Sequence, residues 1–439
     1  MPFSDYIDKY GDFNIQNENG ETQYKGRLIE KKNNIEVELV INSDEVKNIY
    51  NKELYITGRV FSTNIALFNC IFSKCISNYF GQIDEKSTEE TSYVTLIPTE
   101  IILGYPDGVD PQTINGISAN MNQLCCFARF KDPSETGNPI GTDIVPLFST
   151  NNDAEKINIY GFNSTTLTRY KTTISNLVKV SFYFYKPTSP ENGLHHISSL
   201  RNLFTFFTDY YLDIADFRLS YNDSEDQLAY YHINYKEKQV LKYEPGLLGT
   251  DYIWCHLKEI YIKWKHFSET NKPLVWLYYQ ILCNHSNGVN SFLNQCQALE
   301  SYSSRTHARN ATAKKLYKEE MRKQNKQANK TTLSFRLYDI ILLLQYPFQF
   351  KQNQWFIIAD RIAKVRNYYT HFSSTSEPSF IEITAFTRFT RLLLIGVVYR
   401  ELGISQRIIH SLVNLVHFAN IKELLEMVLD NLPSEDSSQ

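Results

Sequence analysis

The sequence predicts an α+β protein of several domains, with a β-rich N-terminal region, sandwich- or barrel-like, followed by an all-α helical bundle. Three observations carry this. Up to about residue 190, short runs rich in Val, Ile, Phe and Tyr recur between Gly, Pro and Asn punctuation, the pattern of antiparallel strands. From about Asn271 the apolar period changes to the 3.6 of helices. A chain of 439 residues is also long enough for two or three separate cores. The expected division is 1–190 as the β-rich domain, 191–255 as a mixed helical and irregular connecting segment, 256–432 as the helical domain and 433–439 as a disordered acidic tail.

In the first region, Ile35, Val37, Leu39 and Ile41 alternate with Glu36, Glu38 and Val40, the period of a half-buried strand. Further strands are expected at 54–61, 65–72, 93–97, 157–162 and 180–185, with turns at Gly104–Gly108, Asp132-Pro133 and Gly137–Pro139. Residues 194–220 read as helical and 221–244 as irregular and polar. No chemistry declares itself here. GYPDGVDP (104–111) is turn chemistry without the glycine spacing of a phosphate loop, and it lacks a Lys-Ser/Thr ending. His195 and His196 point about 100° apart on a helix, and no carboxylate or cysteine set stands at ligand spacing. Neither a metal nor a cofactor is expected.

In the second region helices are expected at 272–286, 289–329, 333–345, 353–372, 379–402 and 405–431, with Gly403 a stop and Ser405 a new N-cap. Short connections fit an antiparallel bundle.

Composition excludes some classes. Hydrophobic content of 42% with 21% charged residues is that of a soluble globular protein. A net charge of −3 makes no global case for nucleic acid, so a basic footprint must be local. One exists: between Ser301 and Thr331 nine Arg/Lys face two Glu, among them Lys314, Lys315, Lys318, Arg322 and Lys323. An exposed helix that happens to be basic explains this as readily as a phosphate-contacting arm. Seven cysteines without a CxxC read as reduced thiols. The start, MPFSDYIDKYGDF, lacks a basic n-region and an apolar h-region. Apolar runs such as Leu392–Tyr399 fall far short of a membrane span. The expectation is a soluble cytoplasmic protein that does not engage membranes.

The most informative stretch is NQWFIIADRIAKVRNYYTHF, 353–372. On a helix, Trp355, Ile358, Ile362, Val365 and Tyr369 form a core stripe. Asp360, Lys364, Asn367 and His371 form a polar stripe opposite, ending in a side chain that titrates near neutral pH. Arg366 lies about 140° around the axis from His371, near the apolar edge. A guanidinium there is costly unless it meets a polar cleft or an ion partner. Polar stripes are usually solvated faces, so the pattern alone does not establish chemistry.

Arg366-Asn367-x-x-x-His371 at the end of a long helix in an all-helical region resembles the signature of HEPN ribonucleases. With a β-rich half in front, the layout resembles the ApeA-like anti-phage proteins over most of the chain. The resemblance implies a metal-independent endoribonuclease, acting in abortive-infection defence on RNA, a tRNA by family analogy. It also implies a homodimer through the HEPN domain, its two motif helices meeting at a two-fold axis, and an N-terminal recognition or regulatory domain that senses a phage-derived trigger. His371 suits proton transfer, Arg366 suits charge stabilisation at phosphorus, and Asn367 suits orienting the phosphate or the imidazole. The basic arm residues and Lys364 would contact RNA. Some HEPN toxins carry a modifiable Tyr two residues after the His; here that position is Ser373. Two other readings stay open. One is a non-catalytic HEPN module that binds RNA or protein. The other is an aromatic-rich β domain that recognises a phage protein or sugar, with the helices as scaffold.

Overall fold

The computed structural model describes residues 3–17, 20–31, 34–50, 52–78, 91–121, 124, 144–168, 171–221, 228–233, 247, 250–283, 288–305, 311–323, 332–371 and 377–431. The expected turns at Asp132 and Gly137, the pair Cys125-Cys126, the basic positions Arg309, Lys326 and Lys330, Ser373 and the acidic tail lie outside the described residues. The chain forms two compact units, 1–198 with 213–239 and 199–212 with 240–439. The division falls inside the helix Pro190–Thr208.

The first unit is one large antiparallel sheet. Six of its strands are β1 (Tyr10–Asn17), β2 (Gly20–Lys31), β3 (Asn34–Asn42), β4 (Leu54–Val60), β5 (Thr63–Asn78) and β6 (Thr91–Ile97). Their order β4-β1-β2-β3-β6-β5 closes through a β4–β5 pairing, so the barrel-like expectation holds in this part. The alternating residues predicted to face inward do so: Val37, Leu39 and Ile41 join Phe13, Ile15, Leu28, Ile56, Val60, Leu67 and Val94 in the interior. Phe13 faces Gly58 across the β1–β4 ladder, and a Cβ at Gly58 would meet the Phe13 ring at 2.7 Å. Gly26 on β2 lies against the other edge of that ring. The missing side chains on both neighbouring strands make room for one aromatic ring.

The sheet continues from β5 through β7 (Glu100–Leu103), β13 (Leu228–Ile233), β12 (Ala215–Ser220), β8 (Ile114–Asn120), β11 (Lys171–Thr188), β10 (Glu155–Thr168) and β9 (Val145–Asn151). The turn expected at GYPDGVDP follows β7, with Gly104 and Gly108 at φ 88° and 72°. Two readings need correction. The helix expected at 194–220 is Pro190–Thr208, and 215–220 is strand β12; the stretch read as irregular contains β13. Asp209, at φ 59°, ends the helix in the left-handed conformation. Beyond it the alternation Phe217, Leu219 is that of an ordinary strand.

The second unit is helical. Its first long helix, Thr250–Thr270, was not anticipated, although Ile253, Leu257, Ile260, Trp264 and Phe267 mark one buried face. Lys272–Cys283 and Leu333–Leu344 follow expectation. The segment read as one helix over 289–329 is two, Gly288–Arg305 and Ala311–Lys323. The last segment is also broken. After Gln406–Ser411 come two 3₁₀ turns, then Asn420 at φ 64° and a helix Ile421–Asp430.

Phe380–Glu401 is the central helix of this unit. Every residue from Leu392 to Tyr399 is buried, so the apolar run spaced too short for a membrane is a core helix buried on all sides. It begins in a capping box between Ser379 and Glu382. Gly403, at φ 76°, terminates the run as predicted, and Ser405 occupies the next N-cap position without a side-chain hydrogen bond. Among the described residues no helix is long and apolar enough to cross a membrane.

Candidate functional site

The motif lies on the helix Gln352–His371. Trp355, Ile358, Ile362 and Val365 are buried, and Trp355 stacks on Phe389 of the central helix at 5.8 Å. Burial of that stripe fixes the rotation of the helix and so dictates where its polar residues project. Asp360 is half-buried; Lys364, Asn367 and His371 are exposed. The two stripes read from the sequence are therefore the two faces of the helix, except that Tyr369, expected in the core, is only half-buried near the helix end.

Arg366 sits between them, its side chain 25% exposed, and it has the ion partner its position demands. Its Nη2 is 3.6 Å from Oε2 of Glu300, on the helix Gly288–Arg305. Its Nη1 donates to Oδ1 of Asn367 at 3.2 Å. Asn367 thus steadies the guanidinium, while its amide nitrogen stays available to an incoming oxygen acceptor. His371 ends the helix, exposed, and its ring makes no hydrogen bond or ion pair among the described residues. Tyr369, on the opposite face of the helix, packs edge-on against Tyr368, with ring centroids 5.1 Å apart. Burial, then the nearby Glu377, pushes the Tyr369 hydroxyl up from its ordinary pKa.

The motif helix is anchored at its middle. Arg361 Nε donates to Glu382 Oε1 at 2.5 Å, tying the motif helix to the first turn of the central helix. Burial of Glu382 alone would raise its pKa, but Arg361 and Ser379 hold it below the ordinary value.

The basic residues belong to the same unit, at a distance from the motif. Lys314, Lys315, Lys318, Arg322 and Lys323 are all exposed on Ala311–Lys323, while Ala313, Tyr317 and Glu320 face inward. Tyr317 packs on Phe356, near the start of the motif helix, at 5.1 Å. At a rise of about 1.5 Å per residue, that contact is roughly 15 Å along the axis from Arg366 and about 22 Å from His371. Lys323 is partly occupied by Glu320 at 2.7 Å. Lys364 is two residues from Arg366, paired with Asp360 at 3.1 Å. The structure thus puts Lys364 on the face of Asn367 and His371, and sets Tyr317 of the basic helix against the other end of the motif helix.

Two residues at the site were not singled out from the sequence, Glu300 and Arg336. Each left a signal. Glu300 is the one carboxylate of Gly288–Arg305 and sits at the edge of the stripe Phe292, Cys296, Leu299; Arg336 is the one cation in the apolar run LSFRLYDIILLL. Among the described residues no cluster of three His, Cys, Asp or Glu side chains could hold a metal ion. His196 Nδ1 instead lies 2.7 Å from the buried Glu155 carboxylate, and the His195 and His196 rings are turned 84° apart.

A β-rich unit joined to a helical unit that ends one helix in Arg-Asn-x-x-x-His defines a class: chains that carry a C-terminal HEPN domain behind a separate N-terminal module. The chain belongs to the ApeA family of anti-phage proteins, because the family model ApeA N-terminal domain 1 matches residues 8–264, more than half of it. The model Apea-like HEPN matches residues 293–408, which include the motif, the basic helix, Glu300 and Arg336. Comparison with curated proteins and with solved structures finds no match. The helical domain is therefore a HEPN nuclease module of an anti-phage family.

Proposed function

We propose that the chain is a metal-independent endoribonuclease of abortive-infection defence, and that Arg366, Asn367 and His371 form its catalytic set. The observation that carries this reading is the open presentation of the motif. Asn367 and His371 are exposed at a helix end, and Arg366 is held at its flank by Glu300 with donors to spare.

The reaction needs no group beyond the RNA. A base removes the proton of a ribose 2′-hydroxyl, and that oxygen attacks the adjacent phosphorus. The bond from phosphorus to the 5′-oxygen breaks, and an acid delivers a proton to the departing oxygen. The products are a 2′,3′-cyclic phosphate and a 5′-hydroxyl. An imidazole suits either proton transfer because its reference pKa lies near neutral pH. One imidazole cannot serve as base and acid in the same step. A homodimer with two motif helices side by side supplies the second, and it also brings together Arg366 and His371 side chains that diverge by about 140° on one helix. Arg366, with Asn367, offers N–H donors to the non-bridging oxygens as negative charge builds there. Lys364 meets the phosphate next to the scissile one, and the basic helix meets RNA further along the strand. By family analogy the target is an RNA needed for translation, such as a tRNA, and the N-terminal unit senses a phage-derived trigger. The site of action is the cytoplasm.

The test is His371→Ala and Arg366→Ala in the full chain, assayed for new 5′-hydroxyl ends in cellular RNA. The expected outcome is a fall in cleavage of roughly 10²–10⁴-fold with RNA binding retained. Cleavage equal to the parent in both variants rejects the catalytic set. A non-catalytic RNA-binding HEPN domain, the reading that the exposed basic helix alone would favour, predicts binding without new ends in any variant. Strong inhibition by EDTA would assign the chemistry to a metal.

A further inference from the structure

We propose that Glu300 is the positioning residue of Arg366 and that Arg336 locks Glu300 in place; the inference rests on the nuclease reading above. Three charges from three helices meet here: Glu300 on Gly288–Arg305, Arg336 on Leu333–Leu344 and Arg366 on the motif helix. The carboxylate is divided between the two guanidiniums. Its Oε1 accepts from Arg336 Nη1 at 3.2 Å, and its Oε2 faces Arg366 Nη2 at 3.6 Å. Arg336 Nη1 also donates to the backbone carbonyl of Glu300 at 3.3 Å, so it fixes the residue at both ends.

The two contacts differ in kind. Arg336 hydrogen-bonds Glu300, whereas 3.6 Å to Arg366 is an electrostatic hold beyond hydrogen-bond length. A guanidinium has five N–H donors, and this arrangement commits few of those on Arg366. It restrains a long side chain of high rotamer freedom without consuming the donors a phosphate would need. Side-chain exposures of 34% for Glu300, 21% for Arg336 and 25% for Arg366 place the group at a half-desolvated edge. There the attraction exceeds that of a surface pair. Two cations against one carboxylate leave a net positive charge, so the tie orients Arg366 without cancelling the site's attraction for an anion. Cys296, one turn before Glu300, is fully buried beneath the group. Burial pushes its thiol up against the pull of Arg366, so the packing below is apolar and firm.

The test compares Glu300→Gln, Glu300→Asp, Arg336→Gln and Arg366→Ala in the full chain. Each is followed by the rate of new 5′-hydroxyl ends at saturating cellular RNA, the RNA concentration for half-maximal rate, and the melting temperature. The expected result for Glu300→Gln is a loss in rate on the order of tenfold with the half-maximal concentration nearly unchanged, the signature of a misplaced transition-state donor. Glu300→Asp should recover part of that rate, and Arg336→Gln should lose rate in the same sense. A merely structural carboxylate would move the melting temperature and leave that split absent. A wild-type or raised rate in Glu300→Gln, with Arg366→Ala inactive, overturns the positioning role and leaves the nuclease reading standing. An active Arg366→Ala rejects the catalytic role of Arg366, on which the inference rests, and leaves open which residues cleave. Should Glu300→Gln lose its melting transition, Arg336→Gln and Glu300→Asp decide, and wild-type rates in both overturn the inference.

Discussion

The barrel and the HEPN bundle use polar side chains in opposite ways. In the barrel, six strands are aligned by backbone ladders, the interior is apolar, and pairs such as Lys25–Asp12 and Arg59–Asp107 decorate the outside. In the bundle, side chains tie one helix to another: Glu300 to Arg336, Arg361 to Glu382, Tyr302 to Glu401 at 2.7 Å, and Arg391 to the buried Asp209 at 2.7 Å. The difference is physical. A strand's neighbour is fixed by hydrogen bonds that any sequence can make, whereas a helix satisfies its own backbone and leaves its neighbours to be chosen by side chains. Polar ties in the bundle therefore set register. One such tie holds a residue that the nuclease reading uses.

The sharpest way to break this comparison is to empty the barrel interior. Phe13→Ala should cost roughly 3–5 kcal/mol, because the ring fills space that Gly26 and Gly58 leave open on both neighbouring strands. Thermal or urea unfolding checks it. A loss below about 1 kcal/mol would show that the barrel relaxes around the cavity rather than depending on the ring.

The bundle should lose almost as much from a single charge. Arg391 donates to both the side chain and the backbone carbonyl of Asp209, and Tyr278 donates to the same carboxylate. Burial opposes the charge on Arg391, but Asp209 keeps its pKa raised. Arg391→Met leaves a fully buried carboxylate whose one remaining side-chain hydrogen-bond partner among the described residues is the Tyr278 hydroxyl, at an expected cost of about 3 kcal/mol in the melting curve. A neutral result would mean that the tie is decorative and that the contrast between the units is wrong.

How much of this was legible in the sequence follows the same division. The motif helix was readable because burial of Trp355, Ile358, Ile362 and Val365 writes a period into the sequence, and the polar stripe opposite follows by geometry. The alternating strand at Ile35–Ile41 was readable for the same reason. The partner choices were not. That β12 and β13 enter the sheet between β7 and β8 is a long-range pairing with no local mark, and β1 (YGDFNIQN) is too polar to stand out. Helix Thr250–Thr270 shows a stripe, yet its aromatics and charges obscure the count. Glu300 and Arg336 could be noticed as lone charges at apolar edges, but only folding shows that they meet Arg366. A side-chain tie between helices 36 residues apart leaves no periodic trace.

A smaller effect tests the polar ties as a class. Glu382 accepts from Arg361 and closes the capping box with Ser379, and these partners hold its pKa below the ordinary carboxylate value against the opposing effect of burial. Because the folded pKa is depressed, the stabilisation is present above the unfolded value of about 4.3 and is lost as pH falls through the folded one. Glu382→Gln should therefore cost about 1–2 kcal/mol at neutral pH, and the gap to the parent should close as pH falls below the ordinary carboxylate range. A gap that persists there would assign the loss to shape rather than charge.

The smallest expected change in stability falls on Lys364, and it separates what holds the bundle from what the bundle offers to RNA. Its pair with Asp360 is a single-turn contact on an exposed face, worth roughly 0.3–0.5 kcal/mol and weakened by salt. Lys364→Ala should leave the melting temperature within about a degree or two. If the nuclease reading holds, the same change lowers RNA affinity and reduces the slope of log affinity against log salt by about 0.7, the contribution of one phosphate contact on a single strand. Lys318→Ala, on the basic helix some 15 Å or more from the motif, should give the same slope change with cleavage at saturating RNA unaffected. Should Lys364→Ala lower stability by more than about 1 kcal/mol, that lysine belongs with the interhelical ties. Its place on the polar face with Asn367 and His371 would then be a structural one.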